Sequence, residues 1–161
     1  MNRHNQGDCC DDLYTEFEFQ DLRSASPPKK RGVYVIRVNK KGRCVTEIVE
    51  QVEPLVKSLN WEVVGRYIGD RISRLKEINQ CPIIYIGSAG PHQNSKNTLK
   101  LRYQEFSGRH TATYPIWALL YFGWELELGW KEEHNPGNAE TQLKQEYKQR
   151  HNNKLPALVK R

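Results

Sequence analysis

Apolar residues recur along this chain with two periods, and the period changes from one segment to the next. Gly32–Val38 (GVYVIRV) alternates and is β-branched, which predicts a strand. After the turn Asn39-Lys40-Lys41-Gly42, Cys44–Val49 (CVTEIV) alternates too, so the pair predicts a β-hairpin. Val52–Leu59 fits neither period. From Trp61 to Ile78 the apolar positions 61, 64, 68, 72, 75 and 78 step by three and four. That spacing predicts an amphipathic helix, with Asn60 as its cap. Pro82–Gly87 (PIIYIG) is almost wholly apolar and predicts a central strand buried on both faces.

A polar loop, Ser88–Asn97, precedes a helix at Thr98–Phe106 with Leu99, Tyr103 and Phe106 along one side. Pro115–Phe122 predicts a buried helix, with Pro115 in its first turn and Gly123 past its end. Trp124–Trp130 (WELELGW) alternates cleanly and predicts a half-exposed strand. Asn138 caps a last helix running to about His151, with Glu140 in its first turn. Residues 1–30 show no sustained period and read as a flexible or irregular N-terminal arm, with at most a short element at Leu13–Phe19. The remainder, 31–161, predicts one α+β domain.

Composition narrows the class. At 161 residues the chain is one domain of ordinary size, and its 4 Trp, 8 Tyr and 4 Phe suffice for a core. No apolar run approaches the ~20 residues of a membrane span, and the first thirty residues have no signal-peptide core. The four cysteines, Cys9, Cys10, Cys44 and Cys81, form no CxxC pair. The expectation is a reduced, cytoplasmic protein without a metal finger.

The net charge of +6 suggests an anionic partner, and its distribution says more than its size. Across residues 81–122 the only carboxylate is Glu105. A surface so poor in acids tolerates a phosphate backbone, although a mostly buried segment also carries few charges.

Gly32-Val33-Tyr34 and Tyr85-Ile86-Gly87, followed by Arg102 and then Glu140, resemble the ordered motifs of the GIY-YIG nuclease family. The resemblance spans about residues 31–160. It implies a small three-stranded antiparallel sheet flanked by helices, with an inserted hairpin and helix at about 43–80. It also implies a phosphodiesterase site dependent on Mg²⁺ or Mn²⁺. A second Tyr-Ile-Gly, at Tyr67-Ile68-Gly69, falls inside the predicted amphipathic helix and lacks the strand-then-helix context.

Phosphodiester hydrolysis needs an activated water, a counter-charge for the developing pentacovalent phosphate and help for the leaving oxygen. Mg²⁺ is commonly held by one or two carboxylates plus phosphate and waters, so Glu140 alone can serve as the protein's metal ligand. Arg102 offers a planar cationic fork for phosphate oxygens. The resemblance puts Tyr34 and Tyr85 at the site and leaves open which one handles the water; a phenol with a pKa near ~10 is a poor base. Gly87, lacking a side chain, leaves room for phosphate or metal, and Lys100 and Asn153 are further substrate-binding candidates. Each residue also has a plain structural reading. An acid in a helix's first turn complements the dipole, an arginine covers a solvated face, and strand tyrosines pack a core.

The chain departs from the family pattern in three places. Phe106 stands where many relatives carry His or Tyr one turn after the arginine, and His110 can substitute if the chain bends back at Gly108. The family asparagine falls on Asn152 or Asn153, or is lost if the slot is Val159. The insertion between the tripeptides reads DNA, contacts a second copy or caps the sheet. Two rival nuclease patterns fail on spacing and orientation: Glu125-Leu126-Glu127 with Lys131, and His134-Asn135 with His151-Asn152. The expected activity is restriction-type cleavage of double-stranded DNA, with a homodimer cutting both strands. The alternative is a catalytically impaired nucleic-acid-binding module that kept the fold.

Overall fold

A computed structural model of the chain describes residues 9–58, 62–108 and 110–159. Its sheet has four strands, not three: β1 (Glu18–Asp21), β2 (Gly32–Lys40), β3 (Ile83–Ala89) and β4 (Glu125–Glu132). Their order is β1-β4-β2-β3, and every pairing is antiparallel. The added strand comes from the segment expected to be an arm. Four residues are too few to show a period, but Phe19 packs in the core beside Val35 and Leu143. Cys10, Tyr14, Leu22 and Ala25 of the same segment are buried.

The expected hairpin partner of β2 is a helix, α1 (Val45–Ser58). Its apolar residues Val45, Ile48, Val49, Val52 and Val56 follow the helical three-and-four spacing, which the short alternation at 44–49 mimics. α2 (Glu62–Ser73) continues as a 3-10 turn at Arg74–Glu77, matching the predicted amphipathic helix; Asn60 and Trp61 lie outside the described residues. The pair α1 and α2 caps one sheet face with Ile48, Val49, Ile72 and Leu75. Of the roles open to residues 43–80, packing over the sheet is the one this core displays.

α3 (Leu99–Glu105) starts at Thr98, whose hydroxyl accepts from the Leu101 N–H at 3.2 Å. α4 (Thr113–Tyr121) ends before Gly123, whose φ of +86° suits glycine there. α5 (Pro136–Arg150) begins earlier than expected, because Pro136 at the first turn pre-sets the helical φ. Asn138 is thus inside the helix rather than its cap, and Glu140 lies in the second turn.

Two layers cover the sheet. α1, α2 and α4 pack with Tyr34, Ile36, Leu126, Leu128 and Trp130 on one face, while Tyr147 and Leu143 of α5 join Val35, Ile83 and Ile86 on the other. β4 and β2 are the inner strands, and β3 is not among them. β3 is an edge strand buried on both faces, and the Leu158 N–H covers part of its free edge by donating to the Ile84 carbonyl at 2.9 Å.

Candidate active site

β2 and β3 pair so that Tyr34 faces Gly87. Residues two apart on a strand share a face, so Tyr34, Tyr85 and Gly87 lie together. The two phenol rings stack at 5.8 Å between centroids, 19° from parallel. A Cβ at Gly87 would lie 2.7 Å from Tyr34 Cζ and Oη and 2.8 Å from Tyr85 Cε1. Gly87 therefore makes room for the Tyr34 phenol, not for an incoming phosphate or metal as its sequence position suggests.

The chain does bend back after α3. Gly108 and His110 both donate backbone N–H bonds to the Glu105 carbonyl, at 3.1 and 2.9 Å. The His110 ring then lies 4.2 Å from Phe106 and its Nε2 is 2.9 Å from Tyr34 Oη. Nδ1 accepts the Ala112 N–H at 3.0 Å, so in the neutral ring the hydrogen sits on Nε2, which donates to Tyr34. Burial, helped by the Arg102 charge, pulls the His110 pKa down from 6.5 to about 3. The ring is neutral at physiological pH.

Tyr34 is buried, and burial foremost pushes its hydroxyl well above the usual pKa of 10. Burial also raises Tyr85, but hydrogen bonds from Tyr34 and Thr111 and the Arg102 charge favour its phenolate and oppose the rise. Both phenols keep their protons at neutral pH, and Tyr85 is the less buried of the two.

Arg102 and Glu140 join the tyrosines through β3. Arg102 Nε donates to the Ser88 carbonyl at 3.4 Å, and the Ser88 hydroxyl donates to Glu140 Oε2. Glu140 approaches from the α5 face and the tyrosines occupy the other, but β3 is an edge strand, so the groups meet around it. The charges of Arg102 and Glu140 act on both phenols, lowering and raising their pKa values respectively. The site thus brings together Tyr34, Tyr85, Arg102, His110 and Glu140.

Two of these residues are paired in ways the sequence reading missed. Arg102 Nη1 meets Glu105 Oε2 at 2.6 Å, so the one carboxylate of the acid-poor block neutralises the arginine. Burial works against the Arg102 charge, but Glu105 together with Tyr34 and Tyr85 outweighs it, and the pKa is raised. Lys144 pairs with Glu140 Oε1. Both partners were legible as helical i,i+3 and i,i+4 spacings. Ser88 and Thr111 were not, because their roles depend on the tertiary fold.

Glu140 has side-chain exposure of 23% and Arg102 of 33%, so solvent reaches both. The dipole reading of Glu140 weakens, since no acid occupies the first turn of α5 and the effect fades beyond it. Lys100 is exposed on α3. Asn152 and Asn153 sit past the far end of α5 in left-handed conformation, φ 51° and 63°, away from Glu140. Val159 is buried, and its carbonyl accepts from Arg74 Nη1 at 2.6 Å. Tyr67 of the second Tyr-Ile-Gly is 43% exposed on α2, beside Tyr114 and Arg71.

Oxygen donors at Glu140 and Ser88 suit a hard divalent cation. No protein-family model, curated protein or solved structure matches the chain. What the fold and site define is an α+β domain with a tyrosine-arginine-carboxylate cluster at a sheet edge. Among the described residues no helix is long and apolar enough to cross a membrane.

Proposed function

We propose that the chain is a metal-dependent nuclease of GIY-YIG type, hydrolysing DNA phosphodiester bonds. The observation that carries the reading is the clustering of Tyr34, Tyr85, Arg102, His110 and Glu140 around β3. In its wider form the reading is a cytoplasmic homodimer acting on double-stranded DNA, as restriction enzymes do.

Each residue has a task its surroundings support. Arg102 neutralises charge on the phosphate as it passes through its pentacovalent stage. Its present partner is no obstacle: a partly exposed ion pair is worth at most ~1 kcal/mol, so Glu105 yields the guanidinium to a phosphate at small cost. The same holds for Lys144, an i,i+4 pair worth ~0.5 kcal/mol or less. Mg²⁺ or Mn²⁺ held by Glu140, with Ser88 beside it, would supply an acidified water and screen phosphate charge.

The tyrosines orient rather than deprotonate. His110 donates to Tyr34 and fixes its hydroxyl, and the Tyr34 ring stacks on that of Tyr85. Tyr85, the more accessible phenol, is left to hold the attacking water.

The test is plasmid cleavage with Mg²⁺ or Mn²⁺ by the parent chain, Glu140→Ala and Arg102→Ala. Nicking by the parent and at least a hundredfold loss in each variant is expected, the scale of removing one group that stabilises transition-state charge. Equal nicking by parent and Glu140→Ala overturns the site. Salt-sensitive DNA retention without cleavage in either metal would identify a binding module instead.

A further inference from the structure

The spacing of the four cysteines predicts no metal finger, yet the fold gathers three of them with a histidine. Cys9 Sγ lies 3.8 Å from Cys10 Sγ, Cys10 Sγ lies 3.8 Å from Cys81 Sγ, and Cys9 Sγ lies 3.2 Å from His151 Nε2. All four donor atoms fall within 4.8 Å of one another. The cluster joins the N-terminal segment, Cys81 two residues before β3 and His151 at the end of α5.

Three of the six donor-to-donor distances are close to the edges of a tetrahedral zinc site. With Zn–S near ~2.3 Å and Zn–N near ~2.0 Å, tetrahedral edges are about 3.8 Å between sulfurs and about 3.6 Å between sulfur and nitrogen. The two printed sulfur pairs match the first length, and the imidazole needs to retreat by only a few tenths of an ångström. A disulfide needs about 2.05 Å, far shorter than either pair.

The surroundings are arranged for metal as well. His151 Nδ1 is 2.7 Å from the Tyr147 carbonyl. Nδ1 must donate to that oxygen, which leaves the Nε2 lone pair facing the sulfurs, as metal-bound imidazoles are usually held. The Tyr147 ring stacks on the imidazole at 3.8 Å and keeps it in plane. Cys10 and Cys81 are buried among Tyr14, Val35, Ile83 and Ile86, while Cys9 is exposed and His151 half-buried, so the centre lies at the rim of the core.

We propose that Cys9, Cys10, Cys81 and His151 bind one structural Zn²⁺ that pins the N-terminal segment to the start of β3 and the end of α5. Three sulfurs and one nitrogen form a closed set with no open position, the signature of a structural rather than catalytic zinc. Binding releases the thiol protons to solvent. Arg150 reinforces the same junction, reaching both carboxylate oxygens of Asp12 at 2.5 and 2.8 Å and the Cys9 carbonyl at 3.1 Å. His151 lies roughly 16 Å along α5 from Glu140, at ~1.5 Å per residue, so the centre is separate from the proposed nuclease site.

The experiment uses the full chain, purified reduced, with zinc measured by atomic emission and the apo chain titrated with Co²⁺. One zinc per chain is expected, with a tetrahedral Co²⁺ spectrum carrying thiolate charge-transfer bands. Cys81→Ser should weaken Co²⁺ binding by a hundredfold or more, while Cys44→Ser leaves it unchanged. If Cys81→Ser fails to fold, alkylation of the parent decides: zinc should protect three thiols and leave Cys44 reactive. An octahedral Co²⁺ spectrum, zinc-independent alkylation, or a disulfide found in place of the metal each overturns the proposal.

Discussion

Tyr34 and His110 show how burial assigns protonation states that residue type leaves open. The folded His110 stays neutral down to about pH 3, whereas the unfolded chain takes up that proton near pH 6.5. Between those values the folded state binds fewer protons, so stability falls as the pH drops. The slope from this residue approaches ~1.4 kcal/mol per pH unit. Urea denaturation from pH 7 to 4 should show a His110→Gln variant losing less stability than the parent. Equal losses would place the buried neutral imidazole elsewhere. Gly87→Ala sets a methyl against the Tyr34 ring. It should cost about 1–3 kcal/mol, the usual penalty for overpacking, read as a lower denaturation midpoint. Tyr34, Tyr85, Arg102 and Glu140 were singled out by their resemblance to an ordered motif, and the fold gathers them around β3. The role of Gly87 was not, since only strand register shows which ring crosses it.

At the scale of elements, the sequence succeeds where a segment is long enough to show its period. The helix after Trp61, the helix at Thr98, and the strands at Gly32 and Trp124 all appear near their expected places. It fails where six residues fit two periods at once. Cys44 to Val49 alternates, yet Val52 and Val56 extend the helical stripe, and burial of Ile48 and Val49 together rewards the helix. Stability measurements can check this assignment. Ile48→Ala should cost about 2–4 kcal/mol as a core truncation, whereas Leu55→Ala, at a position 66% exposed, should change stability by less than ~0.5 kcal/mol. β1 was invisible for the opposite reason, being too short for any period. Its segment still matters to the site, because the Lys30 and Pro28 carbonyls accept the Leu99 and Lys100 N–H groups and seat the helix that carries Arg102.

For the whole molecule, the placement of charge matters more than the net value of +6. The acid-poor block 81–122 contains β3, α3 and α4, so it supplies both core and site. Its single carboxylate sits on Arg102, which makes the arginine's charge available only when a stronger anion displaces Glu105. Residues 43–80 pack over the sheet through Ile48, Val49, Ile72 and Leu75. Cleavage of supercoiled plasmid in Mg²⁺ by the parent and by Glu140→Gln is the most direct test of the central claim. The substitution keeps the size of the side chain and its capacity to accept from Ser88 while removing the charge. Nicking by the parent, with a loss of about a hundredfold or more in Glu140→Gln, is the predicted result. Cleavage at the same rate by both, or by neither in any divalent metal, would contradict it.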